Sequence, residues 1–326
     1  RDPRRQPLRA LGTVFAPVGS LGDKLRLLKL VAELVRTSPA DCFKGYETQT
    51  TQDYLTATLG FSERMVERFF RPFFGGIYLE QELRTPAGEF RFVLKMFAEG
   101  EAALPAAGIQ AVGEQLAAAL TRTDFRYRTP VAAVLDNGTR LRLADGSDVA
   151  CAATIIAAPP APLLSSLRGQ EIAWRSTTNL YFHQPGGGQV EPLLRLVSRQ
   201  DALLNTFTPI SAAAPEYNSN GGILWSATLR RSVSEPDSAA AAAGAELAEM
   251  LGVSPADLTY LRGYTVKEAL PDLDHIIYRH QPQSSRLTER IFLAGDHQLN
   301  GSLDAALRSG RLAAEAVLES GMIFGN

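Results

Sequence analysis

From Pro17 to Gly108 the apolar positions recur three and four residues apart, and this spacing predicts helices. Leu27, Leu28, Val31, Leu34 and Val35 read as one helical face. Ser62 is placed to cap a second helix, with Glu63 in its first turn and Met65, Val66, Phe69 and Phe70 as its apolar side; Pro72 and Gly75-Gly76 are expected to end or break it. Gly108 to Leu120 reads as an alanine-rich helix. The period then changes to two. Val131–Leu135, Thr139–Leu143 and Val149–Ala158 read as short strands separated by Asp136-Asn137-Gly138 and Asp145-Gly146, pairs that tolerate the positive φ of hairpin turns. The run Thr154–Ala158 suits a fully buried strand. Further strands are expected at Tyr181-Phe182, Leu193–Val197, Leu203–Phe207, Ile223–Thr228 and Leu258–Val266, with an alanine-rich helix from Ser238 to Leu251. The pattern closes with a strand at Ile291–Asp296 and a helix from Leu303 to Ser320. Helical blocks alternate with sheet blocks rather than with single strands. The fold class is therefore α/β (α+β mixed), with two interleaved domains rather than one doubly wound sheet.

Composition narrows the function classes. The 326 residues are 45% hydrophobic and 21% charged with a net charge of −2, so nothing global points to nucleic acid. Cys42 and Cys151 are far apart, which predicts two reduced thiols in a cytoplasmic protein and neither a disulfide framework nor a zinc site. Charge is uneven, however. Residues 1–36 carry eight basic residues against three acids, leaving the remainder acidic. A basic amphipathic helix near residues 24–36, including Lys24, Arg26, Lys29 and Arg36, is able to rest on an anionic membrane, or it is a solvated face over an ordinary core stripe. The aromatic run Phe69, Phe70, Phe73, Phe74 and Tyr78 has two readings as well, core packing or the wall of an apolar cavity.

The segment from Ile291 to Leu318 carries the chemistry. A buried strand ends at Ala294-Gly295, where glycine lets a ligand come close to the backbone, and Asp296 follows at the carboxyl end of the strand, where open α/β sheets bind ligands. Beyond Gly301, Ser302 is a good N-cap, so amides near Leu303 and Asp304 offer donors and a positive dipole end. The run Ala294-Gly295-Asp296 followed by Asn300-Gly301-Ser302-Leu303-Asp304 resembles the C-terminal FAD-binding segment of the amine oxidase, phytoene desaturase and protoporphyrinogen oxidase superfamily. Phe70–Leu79, Leu104–Ile109, the meander ending at Pro159 and Tyr264–Pro271 resemble the same family's middle sections. The resemblance implies an incomplete FAD-binding Rossmann-like domain, residues 101–162 and 281–326, interleaved with a substrate domain of mixed sheet plus helices, residues 1–100 and 163–280. It implies cofactor contacts from Gly295, Asp296, Gly301, Ser302 and Leu303, with hydride passing from substrate to flavin N5.

One element of the family pattern is missing. No G-x-G-x-x-G occurs, since the frame starting at Gly186 and Gly188 meets Glu191 at its sixth position. The expectation is that a longer form binds FAD and that the chain as given binds it weakly or not at all. Amine oxidases of the family place an aromatic residue where this chain has Asn300, which shifts weight to a large apolar substrate, a carotenoid-like polyene or a porphyrinogen. A flavin amine oxidase and a non-catalytic lipophile-binding protein remain as alternatives. No catalytic residue is assigned. Of the four histidines only His297 is expected near the flavin, none has metal-ligand spacing, and Lys267 is a minor candidate to face the ring.

Overall fold

A computed structural model describes residues 18–186 and 188–321. The longer helices are α1 (Leu21–Arg36), α2 (Arg71–Tyr78), α3 (Ala87–Glu99), α4 (Gln110–Ala119), α5 (Pro236–Leu251) and α6 (Leu303–Glu319). The strands are β1 (Val131–Leu135), β2 (Arg140–Leu143), β3 (Asp148–Ala150), β4 (Thr154–Ile156), β5 (Trp174–Gln184), β6 (Arg195–Leu196), β7 (Leu204–Pro209), β8 (Ile223–Leu229), β9 (Thr259–Pro271) and β10 (Ile291–Leu293). Most elements expected from periodicity are present, so the mixed α/β class holds.

Two compact units emerge, each assembled from separated stretches of chain. The first takes residues up to Ser38, Gln49–Leu120 and Arg175–Leu270; the second takes Pro39–Thr48, Thr121–Trp174 and the segment from Pro271 onward. These boundaries differ from cuts at residues 100, 162 and 280. Residues 101–120 join the first unit, where the Tyr217 hydroxyl donates to the Pro105 carbonyl. Residues 39–48, 163–174 and 271–280 join the second, where the Ile276 amide donates to Glu47 and the Asp272 amide to Ala173.

In the first unit a five-stranded sheet runs in the order β6-β7-β8-β5-β9. Strict alternation buries Ile223, Trp225, Ala227 and Leu229 of β8, and α5 lays Ala239, Ala243 and Leu247 on that face beside Leu180 and Phe182. Gly76 lies where a Cβ would come within 2.6 Å of Asn205 Nδ2 on β7, so α2 reaches the sheet only because it carries glycine there. Pro72 and the glycine pair therefore do not break the helix. A π-turn at Val66–Phe70 leads directly into α2, Pro72 falls in the first turn where its missing N–H costs nothing, and the helix stops at Leu79 in the left-handed region. Phe70, Phe74 and Tyr78 are buried with Tyr54, Phe61 and Phe90, their rings 4.7–6.2 Å apart. Most of the aromatic run is thus core; Phe69 and Phe73 stack half-buried at 5.7 Å.

Helix α1 corrects a second expectation. Its buried side consists of Asp23, Leu30 and Leu34, while Leu28 and Val35 are exposed, so the stripe of five residues runs from the buried side at Leu34 to the exposed side at Leu28 and does not face the core as a whole. Asp23 fixes the rotation. Its carboxylate accepts from the amide and hydroxyl of Ser20 at 2.8 Å each and from the amide and hydroxyl of Ser62 at 2.9 and 2.7 Å. Burial alone pushes this carboxyl up, but the hydrogen bonds from Ser62 and Ser20 outweigh it and hold its pKa at about 2.

The second unit contains the antiparallel meander β1-β2-β3 and the parallel pair β4-β10. Asp136, Asn137 and Gly138 all take positive φ at the first turn. The stretch Val149–Ala158 divides, since β3 ends at Ala150 and β4 begins at Thr154 in the other sheet. Nor is β4 fully buried: it has β10 on one side only, and Ile155 is exposed between buried Thr154 and Ile156. Phe292 of β10 packs against Ala313, Ala316 and Val317 of α6, while Ile291 packs with Val134, Ile156 and Leu164.

Candidate flavin site at the last strand and helix

The site is built where β10 ends and α6 begins, within the second unit. The Ala294 amide still donates to Ile156 O at 2.9 Å, completing the parallel ladder. Gly295 then turns away at φ 137°, a conformation that side chains avoid, and its amide donates to Ser309 Oγ at 2.8 Å. Ser309 is fully buried and its hydroxyl donates to Ala306 O, so one side chain inside α6 locks the strand tip to the helix.

Asp296 opens a 3₁₀ turn. Its carbonyl accepts from the amides of Leu299 at 3.1 Å and Gly301 at 3.0 Å, and its Oδ1 accepts from the His297 amide at 2.9 Å. With the backbone groups engaged in the turn, the carboxylate stays about one-third exposed. Gly301 at φ 70° reverses the chain, as only glycine does without strain. Ser302 follows as the N-cap of α6: its Oγ accepts from the Ala305 amide at 3.0 Å and donates to Asn300 Oδ1 at 3.0 Å. The amides of Leu303 and Asp304 have no acceptor within the helix, and the Leu303 side chain is exposed.

All five residues expected to contact a cofactor therefore fall on one continuous turn. Gly295 does so differently from the expectation. Its open side is covered by the His297 imidazole, which leaves no room for a Cβ.

Asn300 Nδ2, a donor, and His297 Nε2, a donor or an acceptor according to the tautomer, are buried here without partners. A buried polar atom left unpaired is costly, about 1–3 kcal/mol. The Asn300 amide and the first-turn amides are donors suited to the oxygen and nitrogen acceptors along the pyrimidine edge of a flavin, and Asp296 offers a carboxylate acceptor for hydroxyl groups. Nearby, the Arg308 guanidinium lies 3.8 Å over the Tyr278 ring and pairs with Asp304 at 2.8 Å. Sequence reading missed Ser309 and the Arg308–Tyr278 stack. A serine inside a helix and the arginine just before it leave no local signal. Asn300 was visible only as a departure from an aromatic residue. Lys267 is exposed on β9 in the other unit. Among the described residues no group of three or more His, Cys, Asp or Glu could hold a metal ion.

Known proteins share parts of this sequence and its fold. The sequence profile of the family described as flavin containing amine oxidoreductase matches residues 38–186. An oxidoreductase from Methanosarcina mazei superposes with a TM-score of 0.65 at 12% identity, covering 93% of this chain and 75% of that one. The chain shares this fold. A protein from Pyrococcus furiosus gives 0.63 at 14% identity over 89% of this chain and 71% of that one. A candidate protoporphyrinogen oxidase from Exiguobacterium sp. gives 0.60 at 16%, over 94% and 73%. A comparison with curated protein sequences gives no match.

Proposed function

We propose that the protein is an FAD-dependent oxidoreductase of the desaturase or oxidase type, acting on a large apolar substrate. The observation that carries this reading is the pair of unpartnered buried nitrogens, Asn300 Nδ2 and His297 Nε2, beside the free first-turn amides of α6. A flavin held there would supply two-electron oxidation of a carbon–hydrogen bond. The chain's own part is to bind and orient. Asp296 accepts from ligand hydroxyls, the Leu303 and Asp304 amides place the positive end of α6 against the acceptor edge, and Ser309 keeps the strand tip fixed.

The apolar preference is supported by Asn300. Amine oxidases of the family use an aromatic residue at that position, whereas Asn300 is buried and hydrogen-bonded into the cap of α6, so it offers no ring to a cationic substrate. The test is the visible spectrum of the protein from its native source. A flavin band that bleaches anaerobically with a polyene or porphyrinogen and not with primary amines supports the proposal. Bleaching by amines alone refutes the substrate class, and a colourless protein that binds neither FAD nor riboflavin phosphate refutes the cofactor.

A further inference from the structure

The outward face of α1 has no role in the site just described. Its buried side is fixed by Asp23, Leu30 and Leu34, yet Leu21, Leu25 and Leu28 are each more than 60% exposed, and Ala32 and Val35 are exposed as well. At 3.6 residues per turn these five positions fall within roughly 80° of arc, an unbroken apolar stripe about 21 Å long on the side opposite the core. Lys29 and Arg36, both exposed, flank it on one side, and Lys24 stands on the other. The acidic residues of the helix are turned to other uses: Asp23 is buried, and Glu33 pairs with Arg91 at 3.0 Å. At the end of α3, which packs along α1, Met96 and Phe97 are exposed too.

We infer that α1 is a docking helix that lies flat on an anionic lipid surface, with Leu21, Leu25, Leu28 and Val35 inserted among acyl chains and Lys29 and Arg36 reaching lipid phosphates. Helices that rest in the interface combine these features, an apolar stripe of full helix length with basic side chains at its borders. The charge pattern selects this occupant over a second copy of the chain. Pairing two such stripes would bring Lys29 and Arg36 against the basic borders of the partner helix, whereas anionic headgroups neutralise them. Among the described residues no helix is long and apolar enough to cross a membrane. The proposal goes beyond the redox reading and stands without it, since neither residue set contains the other.

The experiment is co-sedimentation of the full chain with vesicles of phosphatidylcholine alone and of phosphatidylcholine with phosphatidylserine, together with sedimentation velocity of the free chain. Binding to the anionic vesicles should exceed binding to the neutral ones by tenfold or more. It should fall at least tenfold in Leu25→Ser with Leu28→Ser, and by about as much in Lys29→Glu with Arg36→Glu. Both double variants change exposed side chains, and their circular dichroism should match the parent. Equal binding to both vesicle types, binding indifferent to either variant, or a dimer dissolved by Leu25→Ser with Leu28→Ser would each overturn the inference. A loss of flavin binding would leave it untouched, which separates its failure from that of the redox reading.

Discussion

Asp23 joins the N-terminus of α1 to the helix that starts at Ser62, and its removal is a quantitative test of how α1 is oriented. Four hydrogen bonds of 2.7–2.9 Å converge on a carboxylate with no exposed surface. Its pKa falls from an ordinary 3.8 to about 2. One pKa unit corresponds to about 1.4 kcal/mol, so the ionised form contributes roughly 2 kcal/mol of folding free energy. The folded pKa is depressed, so this contribution is complete above the unfolded value, near pH 4, and is lost as pH falls through about 2. Asp23→Ala also strands the Ser20 and Ser62 donors, bringing the expected loss at neutral pH to about 2–4 kcal/mol. Urea denaturation followed by circular dichroism measures it, at about pH 7 and again at about pH 3. The gap between parent and variant should narrow at the lower pH. An unchanged midpoint at neutral pH, or a gap that stays constant on acidification, would refute the argument.

Other outcomes follow from the site and its supports. Gly138 takes φ 91° and a Cβ there would lie 2.6 Å from Ile291 and 2.7 Å from the Arg290 carbonyl, so Gly138→Ala should cost about 2–3 kcal/mol in denaturation midpoints. Gly295→Ala, at φ 137° against the His297 ring, should cost about 1–3 kcal/mol and weaken FAD binding, read by flavin fluorescence quenching. Ser302→Ala removes the cap of α6 and should lower stability by about 1 kcal/mol. Asn300→Ala should weaken FAD binding about tenfold with little change in the urea midpoint, because it removes one donor and the acceptor of a single hydroxyl.

Much of the fold was legible because burial imposes period. Strand β8 alternates from Ile223 to Leu229 without exception, and α6 begins within the turn expected from Ser302. Failures came where two faces share one residue type. The leucines of α1 look alike in sequence, and only the buried carboxylate of Asp23 decides which of them turn inward. Pro72 and Gly75-Gly76 read as breakers because local propensity was the only information; contact with β7 and the preceding π-turn reverse their meaning. At the candidate site the turn residues were legible through their backbone demands. Ser309 and His297 act through space across the turn, a relation that spacing does not encode.

The parallel pairing of β4 with β10 has a consequence for how the chain is made. Thr154 and Ile291 are about 140 residues apart, so loop closure delays this ladder relative to the local hairpins of the meander. On the ribosome β4 emerges well before its partner, and its hydrogen-bonding edge must wait bare while five further strands are translated. A nascent chain with that edge uncovered is a substrate for chaperones, and slowing translation between the two strands should lengthen its dependence on them.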